Sequence, residues 1–266
     1  MARDLSSLRP GITTTQARLH GHFARALDCN RALLYRPGVW VVPTEARRRP
    51  EWHGWVLPLY GVAPAGTGAC VLSCLPELAE ALERPTRDLP AGPQSFDGAW
   101  LAAVRAVAGT IAGAEWSRRV IYVADAATFR PHGVDPSVRV ERLEPAAHPD
   151  LWLSRAFDGP CFVIRDGSGG IAAWAGVKRK SDDAWEIAAV TEPPYRGRGL
   201  ATVLTARATA EILNQGRLAL WVADIDNVLS RRLVERLGFE IYGEQVAAAL
   251  FDPALSPPPP PPPVSP

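Results

Sequence analysis

The sequence predicts an α/β protein built on a mixed sheet. One α/β domain is expected over residues 1–135, a second over 136–252, and a proline-rich tail over 253–266. Three observations predict this. The 266 residues are enough for two ordinary domains or one large one, and with 47% of them hydrophobic there is ample material for a packed core. The second half reads strand, helix, hairpin, strand, helix, strand, helix, strand, an order that builds a sheet of mixed strand directions. Between the halves, "FRPHGVDP" (129–136) has the proline and glycine punctuation of a linker.

In the first half, residues 1–14 read as irregular and 16–28 as a helix. Residues 32–42 read as strands around a turn at Pro37–Gly38. "GWVLPLYGV" (54–62) and "GACVLSC" (68–74) are expected strands, joined by the turn "APAGTG". "LPELAEALE" (75–83) is a short amphipathic helix with proline near its first turn. The proline-rich stretch 84–94 reads as a loop. Leu101, Val104, Val107 and Ile111 give 97–112 a helical period, and "RRVIYVAD" (118–125) reads as a buried strand.

In the second half, 138–145 is an expected strand and 148–157 a short helix. Residues 160–180 form a hairpin turned at 166–170, and 184–190 a further strand. A helix follows over 199–215, stopped by Gly216, then a strand over 218–226. "NVLSRRLVERL" (227–237) carries Leu229, Leu233 and Leu237 on one stripe and is closed by Gly238. The last strand spans 239–251. The tail "SPPPPPPPVSP" lacks backbone donors across its prolines and is expected as exposed polyproline II.

Charge narrows the function classes. With 29 basic against 28 acidic residues the formal net charge is +1, without the basic excess of a general nucleic-acid or membrane-surface binder. No apolar run is long enough to span a bilayer, and "MARDLSSLRPG" shows no apolar core of a signal peptide. The expectation is a soluble, cytoplasmic protein. Cys29, Cys70, Cys74 and Cys161 lack metal-ligand spacing and read as reduced, buried side chains, so no metal is expected.

The stretch "YRGRGLAT" (195–202) lies between an expected strand and an expected helix. A helix N-terminus exposes unpaired N–H groups and a partial positive charge, which suit an anion. Gly197 and Gly199 remove the Cβ atoms that would obstruct its approach, and Arg196 and Arg198 add charge. A pyrophosphate fits this better than a carboxylate. The stretch is not a dinucleotide G-x-G-x-x-G, because position 202 is Thr, nor a P-loop, because Gly-Lys-Ser/Thr is missing. Its bland alternative is an ordinary basic helix start.

Arg196-Gly197-Arg198-Gly199-Leu200-Ala201 resembles the Arg/Gln-x-x-Gly-x-Gly/Ala acetyl-CoA loop of the GNAT superfamily of N-acetyltransferases. Downstream, Asn227, Ser230 and Leu237-Gly238-Phe239 resemble that family's second signature. The resemblance covers about 138–251; the first half, which lacks such a loop, resembles a degenerate copy. It implies a GNAT-type acyltransferase fold in which amides from Arg196 to Ala201 cradle the CoA pyrophosphate. It also implies that the strand carrying Ala188 and Val190 splays from the next strand, leaving a gap in which pantetheine bonds as an added strand. Asn227 would bond the pantetheine or phosphate end, or only cap its helix. The implied partners are acetyl-CoA and a small-molecule amine.

Acetyl transfer needs a neutral amine, a donor to the developing oxyanion, and stabilisation of the leaving thiolate. Family members often place a tyrosine acid where this chain has Val234. Ser230, one turn earlier, and Tyr242 are the remaining hydroxyl candidates. Glu186, in phase with Ala188 and Val190, is the candidate base; its alternative is a solvent-facing strand-edge carboxylate. Asp224 and Asp226 could attract a cationic amine or simply form a turn. The expectation is an acetyl-CoA-dependent N-acetyltransferase. The alternative is a non-catalytic CoA-binding or protein-interaction module on the same fold.

Overall fold

A computed structural model describes residues 13–252 except His53, Asp88, Pro90, Ala91, Pro93, His132, 148–152, Ser154 and Arg155. The chain forms two compact units. Of the described residues, the first comprises those in 13–121 and 241–252, and the second those in 122–240.

In the first unit, helix α1 (Thr14–Ala26) starts with a capping box: Thr13 accepts from the Gln16 N–H while the Gln16 side chain accepts from the Thr13 N–H. The strands are β1 (Gly38–Pro43), β2 (Pro50–Trp52), β3 (Trp55–Pro64) and β4 (Ala69–Cys74). Helices α2 (Ala79–Thr86) and α3 (Gly98–Ala108) follow, then β5 (Glu115–Ala124), within which the unit division falls. Strand order in this unit runs β1-β4-β3-β11, where β11 is Glu240–Phe251. β4 is buried on both faces, as its unbroken apolar run requires of a central strand. Leu59, Leu72 and Val246 from the sheet pack with Leu82, Phe96, Trp100 and Val104 from the α2–α3 segment. The parallel pair β1–β4 is in register from Gly38↔Ala69 to Pro43↔Cys74 and does not splay.

The second unit holds β6 (Glu141–Leu143), β7 (Cys161–Arg165), β8 (Ile171–Lys178), β9 (Ala184–Thr191), α4 (Leu200–Asn214), β10 (Leu218–Asp224) and α5 (Val228–Arg236). Strand order is β10-β9-β8-β7-β6, antiparallel except for the parallel pair β9–β10. This is the mixed sheet the element order predicts, and the first unit is α/β as expected.

Three details differ from the sequence expectation. Residues 31–35 form a 3-10 turn rather than a strand, because Asn30 Oδ1 accepts from the Ala32 N–H at 2.9 Å and caps it. Helix α2 runs through Pro85 to Thr86, three residues into the expected loop, and the Thr86 hydroxyl bonds back to the Leu82 and Glu83 carbonyls. The strand expected over 138–145 is three residues long. The compact units divide at 121/122 and 240/241, and β11 joins the first unit. The cause is its antiparallel register with β3, from Gly243↔Pro64 to Phe251↔Trp55. Most of the helix expected over 148–157, and the tail 253–266, lie outside the described residues.

Candidate active site

The two parallel strands of the second unit pair only at their beginnings. Their register runs from Leu218↔Ala184 to Trp221↔Ile187 and ends there, although β9 continues to Thr191 and β10 to Asp224. On its other side β9 stays paired with β8 out to Thr191↔Ala173. Residues 188–191 therefore turn alternate backbone groups toward a gap at the β10 side. Ala188 and Val190 line this edge, and Val190 is exposed.

The chain leaves β9 directly into the loop. A 3-10 turn (Pro193–Tyr195) leads to Arg196, whose N–H turns back to the Pro193 carbonyl at 3.3 Å. Gly197 and Gly199 adopt φ +77° and +75°, a left-handed conformation that glycine takes without Cβ strain. A Cβ built on either would meet nothing within 4 Å, so both face open space. Gly199 is the N-cap of α4, and its carbonyl accepts from the Thr202 and Val203 N–H groups. The N–H groups of Gly197, Arg198, Gly199, Leu200 and Ala201 have no acceptor among the described residues. Five unbonded amides on a helix start, with open space at both glycines, are a donor set that can receive an oxyanion. That donor set fits a pyrophosphate. Of the segment 196–201 only Arg196 spends its amide locally.

The side chains around the nest are tied down. Tyr195 Oη donates to Asp166 Oδ2 at 2.7 Å, and Asp166 also accepts from Ser168 and the Gly170 N–H. These hydrogen bonds hold the Asp166 carboxyl down at about 2. The hairpin turn between β7 and β8 thus anchors the loop. Sequence reasoning missed this role, although an Asp opening a Gly-rich turn four residues before Gly170 carried a signal. Arg196 Nε donates to the Thr191 carbonyl at 3.2 Å, and Arg198 lies over the Tyr195 ring, 5.5 Å from its centroid. Both guanidinium groups remain exposed.

Strand parity separates the remaining candidates onto two faces. Glu186 shares its face with Ala188, which packs against the cluster of Leu143, Leu153, Phe157, Cys161 and Val163. Glu186 is half-buried and ion-paired with Lys178 on β8, Nζ to Oε1 3.0 Å. It is therefore not a solvent-facing strand-edge carboxylate. Ile187 and its neighbour Trp221 point to the other face, where α5 lies. There the Trp221 indole N–H donates to Ser230 Oγ at 2.9 Å. Asn227 caps α5 by accepting from the Ser230 N–H at 3.1 Å. Asp224 and Asp226 are exposed in the turn before that cap, their carbonyls accepting from Asn227 and Val228.

Val234 is wholly buried, so the position of the family's usual tyrosine is a core position here. Helix α5 is pinned by a second network. Tyr122, fully buried on β5, donates to Glu235 at 2.7 Å and accepts from Arg231 Nε at 3.0 Å, while another Arg231 nitrogen reaches the Ile225 carbonyl. Burial pushes the Tyr122 hydroxyl up. Gly238 closes α5 at φ +83° against the Thr128 carbonyl. Tyr242 belongs to the core of the first unit, stacked on Phe23 at 4.9 Å and edge-on to His20 at 5.7 Å. Burial holds its hydroxyl well above 10.

The second unit thus carries a splayed parallel pair followed by an amide-lined helix start, the arrangement that the GNAT resemblance implies. The model of the GNAT acetyltransferase family matches residues 158–247, which include both sequence signatures. No curated protein matches the chain. Among solved structures, a GNAT-family acetyltransferase from Novosphingobium aromaticivorans is 23% identical, covering 53% of this chain and 69% of its own at a TM-score of 0.42. A GCN5-related N-acetyltransferase-like protein from Streptococcus suis is 20% identical, with coverages of 59% and 69% and a TM-score of 0.44. A tandem GNAT protein from the clavulanic acid biosynthesis pathway is 15% identical, with coverages of 94% and 98% and a TM-score of 0.46. Among the described residues no helix is long and apolar enough to cross a membrane, and no cluster of three or more His, Cys, Asp or Glu could hold a metal ion.

Proposed function

We propose that the protein is an acetyl-CoA-dependent N-acetyltransferase acting on the amine of a small molecule. The observation that carries this reading is the end of the β9–β10 register at Ile187–Trp221, directly beside a loop with five unbonded amides. In this reading the amides of 197–201 hold the pyrophosphate, with Arg196 and Arg198 adding charge. Residues 188–190 bond the pantetheine arm through the gap, which brings the thioester to the last paired rung. Glu186, one rung earlier and on the opposite face from Ile187 and Trp221, takes the amine proton directly or through water. Lys178 holds the carboxylate in place through its ion pair. Ser230 approaches from the other face. The Asn227 side-chain carbonyl is committed to its cap, leaving its amide group for the ligand. Tyr242, buried in the other unit, drops out of this scheme. A cytoplasmic site of action, where acyl-CoA is made, accompanies the proposal.

The test is thiol release from acetyl-CoA with a panel of polyamines, aminoglycosides and amino acids, alongside calorimetry with CoA. Turnover on one amine, lost in Glu186→Gln with CoA affinity kept, supports the enzyme. Val234, buried where a tyrosine acid would stand, favours a second reading, a non-catalytic CoA-binding module. CoA binding with no turnover on any amine would establish that reading instead.

A further inference from the structure

Ser230 presents a problem of orientation. A serine hydroxyl has one proton and two lone pairs, and in a helix the proton is ordinarily turned back to the carbonyl four residues earlier. Here no such bond forms. The Trp221 indole, which can only donate, occupies a lone pair of Ser230 Oγ at 2.9 Å and is that hydroxyl's one partner among the described residues. Trp221 is 6% exposed and cannot rotate away without opening the core. It also sits at the last rung of the parallel pair, opposite Ile187, where the strands part. Helix α5 is itself held, by the Asn227 cap at one end and by the Tyr122–Glu235–Arg231 network beyond. The hydroxyl is therefore fixed as a donor with its proton uncommitted, next to the gap and on the face opposite Glu186.

From this geometry we propose that Trp221 is a positioning residue that presents the Ser230 hydroxyl as a hydrogen-bond donor to the departing sulfur of the acyl donor. The proposal rests on the acyl-transfer reading above and supplies what the buried Val234 position lacks. An aliphatic hydroxyl is too weak an acid to give up its proton near neutral pH, and the step does not need it to. The amine nitrogen bonds to the carbonyl carbon and the C–S bond breaks, its electron pair passing to sulfur. The amine proton goes to Glu186, Ser230 keeps its own proton while bonding to the thiolate, and the thiolate takes a proton from solvent on release. A hydroxyl that already accepts a hydrogen bond is a stronger donor, so the indole contributes polarisation as well as direction.

The proposal is tested on the full chain with Trp221→Phe, Ser230→Ala, their double variant and Ser230→Thr. The first readout is the titration of CoA bound to the protein, followed by thiolate ultraviolet absorbance against protein alone. A donor at sulfur favours the thiolate, so the bound thiol titrates about tenfold more readily in wild type than in Trp221→Phe or Ser230→Ala. The second is steady-state kinetics. Either single variant lowers kcat by ~10-fold or more with the KM for acetyl-CoA unchanged. The double variant is no worse than Ser230→Ala, and Ser230→Thr recovers most of the rate. Ser230 is half-buried on a helix, so Ser230→Ala keeps the test alive if Trp221→Phe fails to fold. Unchanged thiol titration in both variants overturns the proposal. An effect of Ser230→Ala that Trp221→Phe does not share overturns the positioning role. Failure of the acyl-transfer reading looks different: the wild type would not bind CoA or turn over, while the Trp221 indole proton would still show its bond to Ser230 by NMR.

Discussion

Replacing Gly199 with aspartate puts a carboxylate at the mouth of the amide nest. A Cβ there meets nothing within 4 Å, so the fold suffers no clash, only the strain of a left-handed backbone at φ +75°. For an L residue that strain is about 1 kcal/mol, at the low end for Asp and Asn. The charge is a separate matter. A unit charge about 4 Å from a phosphate oxygen is repelled by ~1 kcal/mol in bulk water and ~4 kcal/mol at an effective dielectric near 20. The loop residues 196–199 are exposed and flanked by half-buried Tyr195 and Leu200, so a value between those limits, ~2–3 kcal/mol, is expected, or roughly 30- to 150-fold in affinity. Gly199→Asn is the control, because it shares the backbone strain and the bulk but not the charge. Calorimetry with CoA should show Gly199→Asn binding within about tenfold of wild type and Gly199→Asp far weaker, with thermal melts of the two nearly equal. Equal CoA affinity in wild type and a folded Gly199→Asp would refute the pyrophosphate nest and leave "YRGRGLAT" a basic helix start.

Arg198→Ala should weaken CoA binding by less than Gly199→Asp, since the amides remain and the lost charge is exposed; raising salt should narrow its gap to wild type, as calorimetry at two ionic strengths would show. The depressed Asp166 pKa of about 2 predicts a stability contribution present above about pH 4, the unfolded carboxyl's range, and lost as pH falls toward 2. The melting difference between wild type and Asp166→Asn should accordingly shrink over that window. Gly238→Ala places a Cβ against the Thr128 backbone carbonyl at φ +83° and should destabilise the second unit by ~2–4 kcal/mol, read by denaturant midpoint. Burial raises the Cys70, Cys74 and Cys161 thiols to about 12, so a thiol reagent at pH 8 should leave all three unlabelled until the protein is unfolded.

The sequence by itself determined what local chemistry can specify. Gly197, Gly199 and the run into Leu200 marked a helix start open to an anion, because only glycine removes the Cβ and adopts positive φ without strain. Asn227 and Gly238 marked the two ends of α5 by the same logic of capping and left-handed closure. The alternation of strand and helix in the second half was legible because each element keeps one period along its length. At 31–35 the local signal was misread, since Asn30's side chain outbids the strand preference of its neighbours. What only the tertiary structure decided depends on residues far apart in the chain. The gap between β9 and β10 exists because pairing stops at Ile187–Trp221, and no residue in either strand announces where two strands part. The Asp166–Tyr195 tie and the Trp221–Ser230 bond each join elements that merely share a face. The placement of β11 in the first unit likewise followed its pairing with β3, because a strand belongs where its backbone hydrogen bonds are made.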